Sequence, residues 1–257
     1  MVVLIVSLLL AIAPPIPDDV KHDYLTPLQA TQMYLALGFP LPCPSSATAR
    51  AECWGASSAN GRFALLGARS FGEGCRNEGV TRLLADGVQI LELDRAINGW
   101  VSDNGIVALA ADDTLSFWSS SGDALGGCSG EYYGFPFGQG VTGFLPGTDL
   151  LIRAGRERYD GEMHDGIRCL RPDGSPAWAH VTSSAPHAVV VDESGGITVY
   201  CRNGGILVSL EGAILGSFEG SIDDRTLRAR YVPGLLHPAG VRDRRQEPDT
   251  VREKGPR

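Results

Sequence analysis

Five histidines, six cysteines and a set of acidic turns are the residues of this 257-residue chain with side chains suited to chemistry. The histidines are His22, His164, His180, His187 and His237. Hydrolysis at a metal needs such residues to converge with Asp or Glu on one site. The spacing instead sets His180 and His187 on either side of a turn, and His164-Asp165 in a polar stretch, RERYDGEMHDG. Cys43, Cys53, Cys75, Cys128, Cys169 and Cys201 include no CxxC pair and no histidine at ligand spacing, so the pattern of a zinc site is missing. An even count suits disulfides in an exported chain, with Cys43–Cys53 the most local pair and about 15 complete pairings open. Cys169 and Cys201 lie in strand-like runs, where the alternative is a buried thiol.

Nucleophile patterns are also missing. Ser57 sits in GASSA, without the second glycine of a GxSxG elbow. Only Lys21 and Lys254 are lysines, which removes Schiff-base chemistry and a phosphate-loop lysine from a central body. Gly138-Gln139-Gly140-Val141-Thr142-Gly143 matches GxGxxG by letters, but Pro146 and Gly147 follow at once and leave no helix to aim amides at a phosphate. The turns Asp103-Asn104-Gly105, Asp192-Glu193-Ser194-Gly195 and Asp223-Asp224 have calcium-type donors, yet the same residues are what tight turns use. No catalytic residue, metal ligand or cofactor is assigned. One stretch stands out for binding: Tyr132, Tyr133, Phe135 and Phe137 put four aromatics into six residues. Rings at a loop tip offer a protein or carbohydrate ligand large contact area at low entropic cost.

The elements that must hold these residues are short and extended. The 33 glycines and 16 prolines, with 43% hydrophobic residues, fit a folded, loop-rich all-β body. Residues 1–13, MVVLIVSLLLAIA, read as a signal-peptide core ending in Ala11-Ile12-Ala13, or as an N-terminal membrane anchor if uncleaved. The expectation is an exported protein: periplasmic, cell-surface or extracellular. Residues 14–61 read as a proline-rich connector with a helix over 26–38, opened by Thr26-Pro27 and closed by Gly38 and Pro40. Ala30, Met33, Tyr34 and Leu37 share its apolar face, with Leu35 at the edge. Leu41 to Asn60 reads as loop. From residue 62 to 232 β-like runs alternate with turns, including a hairpin over 105–119 and a pairing of 149–154 with 166–170. Residues 233–257 form a charged tail that reads as disordered. Residues 241–257 carry six basic against four acidic side chains, leaving −10 of the net −8 on residues 1–240. So acidic a body disfavours nucleic acid as a partner.

A repeat runs through the β region. Gly122 of SSSGDAL, Gly174 of RPDGSPAW and Gly204 of RNGGILV align as turn glycines, 52 and 30 residues apart. Their mean separation is close to the ~40–45 residues of a four-stranded propeller blade. Residues 165–178, DGIRCLRPDGSPAW, resemble the blade motif of pyrroloquinoline-quinone-type β-propellers, with an initial Asp-Gly, an apolar strand, the turn glycine Gly174 and Trp178 four residues later. Val208 and Gly126 stand where the other two units would have that tryptophan. The resemblance implies a small or irregular propeller-like body of about four blades, with a β-sandwich or open stacked sheets as the alternative. It implies no quinone site. The function expected is a non-catalytic binding scaffold, against a secreted hydrolase or lyase that gathers acidic and histidine residues on one face.

Overall fold

The computed structural model describes residues 24–25, 27–41, 50–71, 79–94, 96, 98–111, 114–129, 141–159, 162–191, 195–201, 203–219 and 235–236. Four antiparallel sheets follow one another along the chain. Sheet I holds β1 (Tyr24–Leu25), β2 (Arg50–Ser57), β3 (Phe63–Phe71), β4 (Gly79–Ala85) and β5 (Val88–Asp94). Sheet II holds β6 (Asn98–Val101), β7 (Val107–Ala111), β8 (Thr114–Trp118) and β9 (Ala124–Ser129). Sheet III holds β10 (Val141–Phe144), β11 (Leu151–Tyr159), β12 (Glu162–Leu170) and β13 (Pro176–Val181). Sheet IV holds β14 (Pro186–Val191), β15 (Ile197–Cys201), β16 (Gly204–Val208) and β17 (Ile214–Glu219), with β18 (Leu235–Leu236) on the free side of β14. The four main strands of each (β2–β5, β6–β9, β10–β13 and β14–β17) form a meander, because two- to seven-residue links let a strand pair only with its neighbours in sequence, while β1 and β18 are added at the edges of sheets I and IV. The first full strands of successive sheets, β2, β6, β10 and β14, lie against one another, so the sheets fan out from a common axis.

Alternation along each strand sends apolar side chains to the faces between sheets. Phe63, Leu65, Leu83 and Leu93 of sheet I meet Val101, Val107 and Leu109 of sheet II. Trp100, Ala108, Leu115 and Phe117 of sheet II meet Phe144, Leu151 and Leu170 of sheet III. Val141, Ile152, Ala154 and Ile167 of sheet III meet Val189, Val191, Ile197 and Val199 of sheet IV. Fully burying one such side chain contributes about 1.5–3 kcal/mol, so these three interfaces carry the fold.

The other face of sheet I is covered by helix α1 (Pro27–Ala36). Ala30 and Tyr34 are fully buried against Cys53, Leu66, Ala68 and Leu84, with Met33 and Leu37 packed at the side. Leu35, expected at the edge of that face, points outward and is 52% exposed. The chain leaves the helix through Gly38 at φ 75°, with the Gly38 amide donating to Leu35 and that of Phe39 to Tyr34. Arg82 locks the helix down. Its guanidinium lies 4.2 Å from the Phe39 ring centroid, donates to the Tyr34 hydroxyl, and has Glu92 Oε2 3.1 Å from Nε. Burial pushes the Tyr34 phenol above its usual range, and the Arg82 charge offsets part of that.

Two sequence expectations are corrected. Residues 50–57, read as loop, form β2, because Cys53 and Ala56 are small enough to be buried in a sheet whose alternation is too weak to show in ARAECWGAS. The polar stretch RERYDGEMHDG extends the β11–β12 hairpin, pairing Arg156 with Asp165 and Tyr159 with Glu162 beyond the blade's core. Cys169 and Cys201 are free thiols within one apolar cluster; Cys43 and Cys75 lie outside the described residues. Burial pushes the Cys169 thiol up to about 12, with Arg171 offsetting only a little, and raises Cys201 as well. At neutral pH neither residue supplies thiolate, the reactive form. Iodoacetamide at pH 7.5 is therefore expected to leave Cys169 and Cys201 unmodified in the native protein and to label both in denaturant, read by peptide mass spectrometry. Above the ordinary thiol value the unfolded chain loses this proton while the folded one keeps it. Stability should then fall as pH rises from 9 towards 12.

Candidate functional site

The turns that follow β2, β6 and β10 share one end of the body, and β9 ends at the other, beside the start of β8. At the hairpin end, the turns of sheets I, II and III are tied together by side chains. Asp103 stands at the centre. Its Oδ1 accepts the Asn60 amide at 2.7 Å and its Oδ2 accepts the Gly147 amide at 2.8 Å, while Asn60 Nδ2 donates to the Asp103 carbonyl at 3.1 Å. Asp149 completes the belt from sheet III, accepting Ser102 Oγ at 2.7 Å and Asn104 Nδ2 at 3.2 Å. Charge-assisted bonds of this kind are stronger than neutral ones. They engage both oxygens of Asp103 in bridging three sheets, and this is how the expected acidic turn is used. Asp192 and Asp223-Asp224 lie outside the described residues. Among the described residues no group of His, Cys, Asp and Glu is arranged to hold a metal ion.

Beneath this belt is a cleft lined by Ala56, Ser57, Ala59, Trp100, Phe144 and Pro146, with Asp103 at its side. Its cavity volume is about 10 Å³, the room of one water molecule. The repeated turn sequences Ser58-Ala59-Asn60-Gly61 and Ser102-Asp103-Asn104-Gly105 are the signal from which this belt was legible, and the sequence reading did not use it. In both, the serine hydroxyl accepts amides of its own turn, from Phe63 and Ile106 at 3.0 Å.

The outer rim is organised by a second repeat. The turns before each last strand place a glycine at positive φ: Gly87, Gly122, Gly174 and Gly212, 35, 52 and 38 residues apart. The residue four further on reaches the corresponding turn of the next sheet, on its glycine in the first and third cases and on the residue before it in the second. Leu91 meets Gly122, where a Cβ would stand 2.9 Å from its Cδ1. Gly126 lies backbone to backbone on Asp173, and Gly127 on Gly174. The Trp178 ring covers Gly212 and donates from Nε1 to the Leu210 carbonyl at 2.9 Å. In all four sheets the residue just before it is bulged out of register: Ile90, Leu125, Ala177 and Leu215. The sequence alignment put Gly122 and Gly174 in equivalent places correctly. Gly204 is not their partner, because it opens β16 inside the sheet, and Gly212 holds the equivalent turn.

The sequence-selected residues are placed as follows. His180 Nε2 is 2.7 Å from the Gly212 carbonyl, beside Trp178 at the rim. His164 lies 3.8 Å from Glu162 Oε2 on the hairpin extension. Each is held by its own local partner. His22, His237 and the His187 side chain lie outside the described residues. Thr142 and Gly143 of the GxGxxG letters are in strand β10, without a helix after them. Tyr132, Tyr133, Phe135 and Phe137 also lie outside the described residues. The ends of their connection are well placed: residues 130–140 leave β9 at the rim of sheet II and enter β10 at the axis of sheet III.

Four meandering sheets fanned about an axis, each keyed to the next at the rim, define a small β-propeller-like body, and the sheets are its blades. No protein-family model matches the chain, and no curated protein does. Among solved structures it is similar to a protein of unknown function from Bacteroides caccae, at 13% identity over 64% of this chain and 59% of that one, with a TM-score of 0.37. A HIRA fragment is similar at 10% identity over 70% and 56%, with a TM-score of 0.41. The WD40 domain of Neurospora crassa Pan2 is similar at 11% identity over 64% and 48%, with a TM-score of 0.35. The chain spans about half the length of the solved structures it matches.

Proposed function

We propose that the protein is a non-catalytic, exported binding scaffold, with the aromatic connection between blades II and III as its contact region and a protein or carbohydrate as its ligand. One observation carries this reading. Three residues, 95–97, suffice to join blade I to blade II, and four, 182–185, join blade III to blade IV, whereas blades II and III are joined by residues 130–140. That connection is far longer than the geometry requires, and it contains Tyr132, Tyr133, Phe135 and Phe137. Surplus length on a rigid body is where binding function is placed, since the platform does not depend on it. At the opposite end the acidic turns are engaged in blade bridging and the adjoining cleft is water-sized, which favours contact on a surface over enclosure of a small substrate.

Alanine at both Tyr132 and Tyr133 is expected to abolish binding to the positives of an oligosaccharide and peptide array, with a melting temperature within about 2 °C of the parent. A collapse of stability would show those rings to be core and end the reading. Export rests on residues 1–13 and is checked by cell fractionation of the full chain beside a chain lacking them; recovery of both in the cytosol would refute it.

A further inference from the structure

We infer that Asn104-Gly105, in the blade-bridging belt, is a site of spontaneous covalent modification whose conversion releases the turn of blade III from that of blade II. Four of the five asparagines of the chain stand immediately before glycine: Asn60, Asn98, Asn104 and Asn203. Glycine has no Cβ to shield its amide and leaves the backbone free to turn, so its nitrogen can reach the carboxamide carbon of the asparagine before it. In the step inferred, the Gly105 nitrogen forms a bond to Asn104 Cγ, the Cγ–Nδ2 bond breaks, and the side-chain nitrogen leaves as ammonia with the amide proton. Water then opens the succinimide at either carbonyl, leaving an aspartyl or an isoaspartyl residue at position 104. The sequence is redox-neutral, and water is its only co-reactant.

The four sites differ in surroundings. Asn98 is 4% exposed in β6, and Gly99 is closed in by Leu65 and Leu109, which keeps water from the reacting atoms. Asn203 is exposed in the β15–β16 turn, and Asn60 and Asn104 are exposed in the belt. The two belt residues use their side chains differently. Asn60 Oδ1 accepts Ser58 Oγ at 2.7 Å and the Arg62 amide at 3.0 Å, roles that a carboxylate oxygen keeps. Asn104 contributes through Nδ2 alone, which donates to both oxygens of Asp149 at 3.2 Å. Conversion replaces that donor with an oxygen, so two hydrogen bonds become the repulsion of two facing carboxylates. The isoaspartyl product also lengthens the backbone of a turn with no slack, since Gly105 lies at φ 82° with the Phe63 ring 2.9 Å from its Cβ position.

The same contacts set the pace of the reaction. In the closed belt the attacking nitrogen is engaged, because the Gly105 amide donates to the Ser102 carbonyl at 3.0 Å, and Asp149 holds the carboxamide. Both must let go before Gly105 N can reach Cγ. Conversion therefore follows an opening of the belt and then opposes its closing, which makes the step one-way.

Peptide mass spectrometry of the full chain, kept at pH 8 and 37 °C for several weeks, tests the inference. A mass gain of roughly 1 Da is expected at Asn104, at a slower rate than at Asn203. Asp149→Ala should raise the rate at Asn104 several-fold and leave the rate at Asn203 unchanged. Asp149→Asn, which keeps the shape of the anchor without its charge, serves if the alanine variant does not fold, with a smaller rise expected. Asn104→Asp installs the product, and should lower the melting temperature by about 2–4 °C more than Asn104→Ala, which only removes the amide. An unmodified Asn104 in a sample fully converted at Asn203 would overturn the inference. So would a rate at Asn104 that neither Asp149 variant changes, or equal melting temperatures for Asn104→Asp and Asn104→Ala.

Discussion

Gly174→Ala is expected to destabilise the protein by roughly 3 kcal/mol or more, and to do so by prising blade II from blade III. Gly174 turns the chain at φ 83°, where its amide donates to the Arg171 carbonyl at 2.9 Å. A non-glycine residue in that conformation costs about 1 kcal/mol. The larger part is steric. A Cβ at Gly174 would stand 2.3 Å from the Gly127 carbonyl oxygen and 2.4 Å from its carbon. These are backbone atoms of the neighbouring blade, and no rotamer change can relieve the overlap. Gly147→Ala isolates the conformational part, because Gly147 has φ 70° with nothing within 4 Å of the added Cβ. That variant should lose only about 1 kcal/mol. Equilibrium denaturation in urea measures both, and equal losses would show that the rim contact contributes nothing.

Trp178→Ala is expected to cost about 3 kcal/mol, at the low end of large-to-small substitutions because the ring is half-buried. The ring fills the space over Gly212 and its Nε1–H satisfies the Leu210 carbonyl, so truncation opens a cavity between blades III and IV and removes a hydrogen bond. Trp178→Phe keeps much of the apolar area and loses the donor, and should cost nearer 1 kcal/mol beyond the area change. Thermal unfolding followed by circular dichroism separates the two variants.

The parts of this architecture that depend on local chemistry were readable from the residues. Alternation predicted the β7–β8 hairpin, in which Leu115 and Phe117 are buried and Ser116 and Trp118 half-buried. Pro27 and Gly38 marked the helix, and the four-residue step from Gly174 to Trp178 marked one docking position. What was not readable was which turn glycine plays the docking part in each blade. Asn203-Gly204-Gly205 looks like a better turn than Glu211-Gly212, yet both are turns of one blade, and only the side chain that reaches them from the preceding blade tells them apart. The docking residue itself varies from Leu91 to Gly126 to Trp178, because a large side chain on a glycine turn and a bare backbone contact solve the same problem of close approach. The repeat is irregular for a physical reason too. Residues 130–140 and the extended β11–β12 hairpin both fall between Gly122 and Gly174 and lengthen that interval to 52 residues. The belt centred on Asp103 needed a comparison of turns in neighbouring blades, and Asp149, displaced by a different turn sequence, carries no local mark of its partners Ser102 and Asn104.

The central claim is that blades are keyed together by a residue four past one turn glycine docking on the corresponding turn of the next blade. A double-mutant cycle on Trp178 and Gly212 tests it most directly. Alone, Gly212→Ala sets a Cβ 2.3 Å from Trp178 Cγ on a backbone at φ 90°. With Trp178 already replaced by alanine, the overlap with the ring is gone, and what remains is the contact with the retained Cβ at 2.6 Å and the conformational cost of about 1 kcal/mol. The account predicts that the double variant is more stable than the sum of the single losses by about 1–3 kcal/mol, the range for residues in direct contact. Losses that add to within about 0.5 kcal/mol would contradict it.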